Sequence, residues 1–160
     1  MLKYPFPPLF NENSKILILG SFPSVKSREQ LFFYGHKQNR FWKVVSFVLD
    51  AKTPETIEEK KTFLFNNGIA LWDVIASCEI TGSSDSSIKN VLPNDIGEIL
   101  QNADIKQIFV NGKTAEKYYN KYIREKVKRN AICLPSTSPA NAAYSFEKLV
   151  SDWEILKEYI

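Results

Sequence analysis

The chain has 160 residues, 44% of them hydrophobic and 13% aromatic, with a formal net charge of +3. That is enough apolar content for one domain, residues 1–160, with a full core, and no apolar run is long enough to span a bilayer. The opening residues lack the basic region and long apolar core of a secretory signal, and two distant cysteines, Cys78 and Cys133, make neither a disulfide framework nor a zinc motif, so a cytoplasmic protein with two buried thiols is expected.

After a proline-rich lead expected to lie across the surface, Lys15 to Gly20 (Lys-Ile-Leu-Ile-Leu-Gly) predicts a buried strand of parallel type, emptying into the loop Ser21-Phe-Pro-Ser24. Tyr34 to Trp42 (Tyr-Gly-His-Lys-Gln-Asn-Arg-Phe-Trp) packs an aromatic, a glycine, the single histidine, a carboxamide and two cations before an apolar-periodic run. That run predicts a helix over 40–50, so Asn39 is either its N-cap or a working side chain. A helix is predicted over 54–67 and a second buried strand over 69–73, followed by a long polar loop from Val74 to Ile88. A short helix over 94–102, a strand over 107–111, a long basic helix from Gly112 to about Arg129, a strand over 131–134 and a closing amphipathic helix from Phe146 to Ile160 complete the chain. Strands alternating with helices predict a three-layer α/β/α sandwich around a four-stranded parallel sheet. The loops after residues 20, 72, 111 and 134 then meet at the carboxyl edge, where ligands of such folds bind.

Several chemistries lack their signatures. There is no phosphate-binding Gly-x-x-x-x-Gly-Lys-Ser/Thr, no Gly-x-Gly-x-x-Gly, no His-Glu-x-x-His and no Gly-x-Ser-x-Gly elbow. One histidine with scattered carboxylates makes no metal-ligand set, and no cofactor is implied. What gathers at the predicted sheet edge is polar and mostly uncharged: Ser21, Ser24, Asn39, Ser136, Thr137, Ser138 and Asn141, with Phe22, Tyr34 and Trp72 nearby. Such a set can hold a planar hydrogen-bonding ring while hydroxyls and loop N–H groups take phosphates. Between Lys106 and Arg129 stand eight basic residues against Glu116 and Glu125, and Lys26, Arg28, Lys37, Arg40 and Lys43 flank the Tyr34–Trp42 stretch. Both clusters suit a polyanion, and either can equally be a solvated face. A nucleobase or nucleic-acid site is the reading these residues give.

Three segments sharpen it. Gly20-Ser-Phe-Pro-Ser24, Tyr34 to Trp42, and Leu134 to Asn141 (Leu-Pro-Ser-Thr-Ser-Pro-Ala-Asn) resemble the signature segments of the uracil-DNA glycosylase superfamily, and most of all its hypoxanthine-DNA (deoxyinosine) branch. Uracil-excising relatives carry Asp or Asn where this chain has Phe22, and His or Asn where it has Ser136; the hypoxanthine branch shares both departures. The resemblance implies a monofunctional DNA glycosylase that flips a deaminated base out of the duplex and hydrolyses its N-glycosidic bond, leaving an abasic site. It implies that Asn39 is the catalytic carboxamide, acting through its oxygen on water or through its NH2 on the leaving base. It also implies base contacts from Phe22, Tyr34, His36, Asp73 and Asp85, and DNA phosphate contacts from Ser21, Ser24, Ser136, Ser138 and Asn141. Asp73 and Asp85 can alternatively brace the long loop, and His36 can make only a structural bond. Where relatives insert a leucine wedge this chain has Ala140, with Tyr144 or a residue from another loop as the substitute. DNA is the implied partner, and a monomer is expected. A uracil or mismatch glycosylase, and a silent DNA-binding module, are the alternatives.

Overall fold

The computed structural model describes residues 2–3, 7–22, 32–81 and 84–160. Ser24, Lys26 and Arg28 lie outside the described residues. Strands β1 (Leu2–Lys3), β2 (Ile16–Gly20), β3 (Ile69–Asp73), β4 (Ile75–Glu79), β5 (Lys89–Pro93), β6 (Gln107–Asn111) and β7 (Ala131–Leu134) form two sheets. Helices α1 (Phe41–Val48), α2 (Ile57–Asn66), α3 (Gly97–Asn102), α4 (Lys113–Tyr122), α5 (Arg124–Val127) and α6 (Phe146–Trp153) surround them. The main sheet has the order β3-β2-β6-β7, and all its pairings are parallel.

Strand β2 runs through the middle, and every one of its residues is buried. Because side chains alternate along a strand, Ile16 and Ile18 join one apolar cluster while Leu17 and Leu19 join another. The first cluster takes Phe41, Val44 and Val45 of α1, Leu64 of α2 and Leu149 and Trp153 of α6. The second takes Ile99 of α3, Ala115 and Tyr119 of α4, and Ile75 and Cys78 of β4. Two helical layers thus sandwich the sheet, as the strand and helix pattern predicts.

Three local expectations change. Residues 74–88 are not a continuous loop: Ile75–Glu79 is a strand between β1 and β5 in a small antiparallel sheet, and Asp85–Ser87 is a 3-10 turn. The basic helix breaks at Ile123 into α4 and α5, and Lys128 ends the second in a left-handed conformation. The closing helix tightens to 3-10 geometry over Glu154–Glu158. Among the described residues no helix is long and apolar enough to cross a membrane.

In the main sheet the strand order reverses between β2 and β6: from β2 the chain steps outward one way to β3, and from β6 the other way to β7. Gly20 and Asn111, at the carboxyl ends of these two strands, therefore flank the crevice that parallel sheets of this kind offer to ligands.

Candidate active site

A cleft with a cavity volume of about 150 Å³ opens at that crevice. Gly20, Ser21 and Phe22 line it after β2, Asp73 at the end of β3, and Asn111 to Thr114 where β6 turns into α4. Ser136, Thr137 and Ser138 follow β7, while Phe33, Tyr34 and Asn39 come from the segment before α1. The side of the small sheet contributes Ile80 and Asp85. Of the eleven sequence-predicted site residues, Asn39, Phe22, Tyr34, Asp73, Asp85, Ser21, Ser136 and Ser138 meet here. His36 and Asn141 do not line the cleft.

Asn39 stands two residues ahead of α1. Its Oδ1 accepts the backbone N–H of Phe41 at 2.9 Å and the hydroxyl of Thr137 at 2.9 Å. A backbone N–H can only donate, so the oxygen end of the carboxamide is fixed without reference to hydrogen positions. Arg40 is the N-cap of α1, and Oδ1 of Asn39, one residue earlier, satisfies the first free N–H of the helix; the side chain lines the cleft, and its Nδ2 has no hydrogen-bond partner among the described residues. The bonds from Oδ1 are structural, and the catalytic reading of Asn39 turns on Nδ2.

Thr137 is fully buried and holds the neighbouring loop. Its N–H donates to Asn111 Oδ1 at 3.1 Å, and Asn111 Nδ2 donates to Thr137 Oγ1 at 3.0 Å. Its carbonyl accepts the N–H of Arg40 at 3.0 Å. Arg40 ties down the rest of that loop, donating from Nη1 to Tyr144 O at 2.5 Å and from Nη2 to Asn141 O at 3.1 Å.

Tyr34 reaches the cleft through an uncommon backbone, with φ at +52°. For an aromatic residue that conformation costs on the order of 1–3 kcal/mol and is kept only where packing dictates it. Here the ring stacks on Phe41, centroids 4.2 Å apart and planes 14° from parallel. Burial pushes the hydroxyl pKa up, the Asp73 carboxylate pushes it further the same way, and the Asn111 amide draws it partly back. By distance and angle, no group among the described residues completes a hydrogen bond to Tyr34 Oη.

Glycine is required twice. A Cβ on Gly20 would collide with Asp73 Oδ1 and come within 3.1 Å of Tyr34 Oη. Gly112 has φ +97° and a Cβ there would stand 3.0 Å from that of Ser136, so the β6–α4 turn closes only with glycine. This turn delivers the first residues of α4, Lys113 and Thr114, to the cleft, and with them the electropositive end of a ten-residue helix.

Other predicted residues are occupied locally. His36 Nδ1 accepts the N–H of Gln38 at 3.0 Å, a structural bond. Asn141 Nδ2 donates to Ser136 O, Ser136 Oγ accepts from Ser138 N, and Ser138 Oγ accepts from Ala140 N, so this loop is held by its own side chains. Asp85 Oδ2 accepts the hydroxyl of Thr114 at 3.0 Å, fastening the small sheet to the start of α4. The Tyr144 hydroxyl donates to Asp152, and Lys148 lies over its ring, 4.9 Å from the centroid. Trp42 is core, as expected, with Nε1 donating to Phe33 O.

Sequence reasoning left Asn111, Gly112, Lys113 and Thr114 out of the site. The available signal was their place directly after the third strand of the sheet, at the edge already identified.

The sequence profile of the Uracil DNA glycosylase superfamily matches residues 7–157. This chain belongs to that superfamily, and as a member it is a DNA glycosylase. A Methanosarcina acetivorans protein named hypoxanthine DNA glycosylase is 34% identical over 156 residues, covering 96% of this chain and 97% of its own. One of the same name from Methanosarcina barkeri is 32% identical over 120 residues, 74% of this chain and 76% of its own. A solution NMR structure from Methanosarcina acetivorans, described as a candidate uracil DNA glycosylase, superposes with a TM-score of 0.81 at 31% identity, covering 98% of this chain and 99% of that one. The four-stranded parallel sheet and its helical layers are the fold expected of the superfamily.

Proposed function

We propose that this protein removes hypoxanthine from DNA as a monofunctional, monomeric glycosylase, hydrolysing the N-glycosidic bond of deoxyinosine and leaving an abasic site. The relatives named hypoxanthine DNA glycosylase support the choice of base. The observation that carries the chemistry is the Asn39 carboxamide on the cleft wall, with its oxygen engaged by Phe41 and Thr137, which leaves its NH2 as the group that can act.

In this reading DNA phosphates lie along the rim formed by Ser21, Ser136 and Ser138, and Asn141 extends it. The deaminated nucleotide rotates into the cleft, where unstacking costs a few kcal/mol, offset by pocket contacts. Phe22, Tyr34 and Asp73 surround the base, and Asp85 steadies the wall opposite. His36 supports the Asn39 turn from outside the cleft. As the glycosidic bond lengthens, positive charge grows on the sugar and negative charge on the base. Nδ2 of Asn39 donates to that base, and Lys113 and the α4 N-terminus add favourable potential. Water then completes the hydrolysis.

The test is a panel of labelled duplexes, each with one inosine, uracil, mismatched thymine or xanthine, incubated with protein, treated with hot alkali and resolved on a gel. Strand scission at inosine is expected. Scission at uracil and not inosine would transfer the protein to the uracil-excising alternative, and binding without scission on any duplex would leave a silent DNA-binding module.

A further inference from the structure

The hydrogen bonds that hold Asn39 form a chain whose direction is set at both ends. At one end the N–H of Thr137 donates to Asn111 Oδ1, which makes the other end of that carboxamide an NH2. This NH2 donates to Thr137 Oγ1 at 3.0 Å. The single hydroxyl proton of Thr137 is then free to donate only onward, to Asn39 Oδ1, 2.9 Å away. At the far end the N–H of Phe41 donates to the same oxygen. Turning the Asn39 amide over would set its NH2 against two donors at once. Asn111 is 26 residues from Thr137 in sequence, and Thr137 is 98 from Asn39. The chain thus spans the ends of β6 and β7 and the start of α1.

We propose that Asn111 and Thr137 are positioning residues that lock the Asn39 carboxamide with its NH2 facing the cleft. The proposal rests on the glycosylase reading for its catalytic consequence. Asn111 stands at a strand end, where its Oδ1 and one N–H of its NH2 are engaged by Thr137 and the same amide acts on the Tyr34 hydroxyl. Its work is to fix the hydroxyl proton, and Thr137 passes that choice to Asn39. Neither residue needs to touch the DNA.

The experiment compares Thr137→Val, which keeps the shape and removes the hydroxyl, with Thr137→Ser, which keeps the hydroxyl. Single-turnover rates on an inosine duplex are measured for both, in the wild-type background and beside Asn39→Ala. Thr137→Val is expected to slow base release roughly ten- to a hundredfold, the loss of a buried hydrogen bond, and Thr137→Ser to restore most of it. Adding Thr137→Val to Asn39→Ala is expected to cost little more, because both act on one group. A full further loss in the double variant, or a serine variant as slow as the valine one, would overturn the proposal. The side-chain amide NMR signals of Asn39 supply a readout that needs no activity. They are expected to shift and broaden in Thr137→Val and hold in Thr137→Ser. Unchanged signals in Thr137→Val would overturn the positioning role even in an active enzyme. Inactivity of the wild type on every duplex would instead sink the glycosylase reading, with the NMR comparison still deciding the lock.

Discussion

Asn39→Asp separates the two ways in which a carboxamide can serve a glycosylase. The introduced carboxyl has the same shape and still offers an oxygen to the Phe41 N–H and the Thr137 hydroxyl, both at 2.9 Å in the wild type. Asp caps helices as well as Asn, and a negative charge at the start of α1 is favourable by about 0.3–1 kcal/mol. The fold should therefore hold, whereas Asn39→Ala forfeits the cap, typically ~1 kcal/mol, and confuses stability with catalysis. The group that changes is the one open to the cleft, from a neutral donor to an anionic acceptor. Were the side chain there to orient water, an anion would serve as well or better. Acting on the departing base, it loses a transition-state donor, an effect of about 10²–10³ in rate or roughly 3–4 kcal/mol, and repels the charge growing there. The assay is single-turnover cleavage of an inosine duplex with enzyme in excess, paired with thermal melting. A rate down by that factor with the melting temperature held is the expected outcome. The introduced carboxyl donates when protonated, so some activity should return below about pH 4, the ordinary aspartate range, or lower still because two hydrogen bonds favour its ionised form. Wild-type speed at neutral pH would refute the leaving-base role.

Three further perturbations test the frame around that group. Gly20→Ala drives a methyl into the Asp73 carboxylate at the base of the cleft; overpacking of this kind costs about 1–3 kcal/mol, so the urea midpoint should fall and base release with it, and an unchanged midpoint would show that the carboxylate moves aside freely. Arg40→Ala removes the two bonds to the Tyr144 and Asn141 carbonyls; faster amide exchange across residues 136–144 and weaker DNA binding are expected, and Arg40→Lys should fail to rescue because an ammonium lacks the planar fork. Burial pushes the Tyr119 hydroxyl, which donates to Arg129 O, up to about 12, above its ordinary 10.0. The neutral form is favoured in the fold, so this contribution is complete below pH 10 and lost as pH rises toward 12, with Tyr34 acting in the same direction. Urea midpoints at pH 9 and 11 should differ less in Tyr119→Phe than in the wild type, and equal differences would discount the group.

Much of this was legible in the sequence because it depends on local runs. Ile16 to Leu19 and Ile69 to Leu71 are buried on both faces, and a strand of that kind carries its own signature. The small sheet was hidden because Ile75-Ala-Ser-Cys-Glu neither alternates cleanly nor runs apolar; it becomes a strand by pairing with β5, the next strand in the chain, and with β1, far away in sequence. The break at Ile123 carries no proline or glycine, and a run rich in helix-forming lysine, arginine and glutamate reads straight through it. The left-handed backbone of Tyr34 is likewise a product of tertiary packing, paid for by the stack on Phe41. Ser136 and Ser138 were legible as loop serines of the kind that commonly bond their own backbone, and with Asn141 they do so here.

Asn39 shows why the two sequence readings of a single residue need not compete. A helix cap uses an oxygen, since the groups it must satisfy are N–H donors. Leaving-group assistance uses a donor. A carboxamide carries one of each, held about 120° apart by a rigid planar group, so satisfying the cap aims the nitrogen. Serine or aspartate would cap as well, but a serine hydroxyl has too short a reach to do both, and aspartate has no proton to give at neutral pH. Glutamine would place the same amide one methylene away from the Phe41 N–H and lose the cap that directs it. Under the proposed leaving-base role, the helix start and the reaction use different atoms of one side chain, and the hydroxyl of Thr137 closes the remaining freedom of that side chain by occupying the second lone pair of its oxygen.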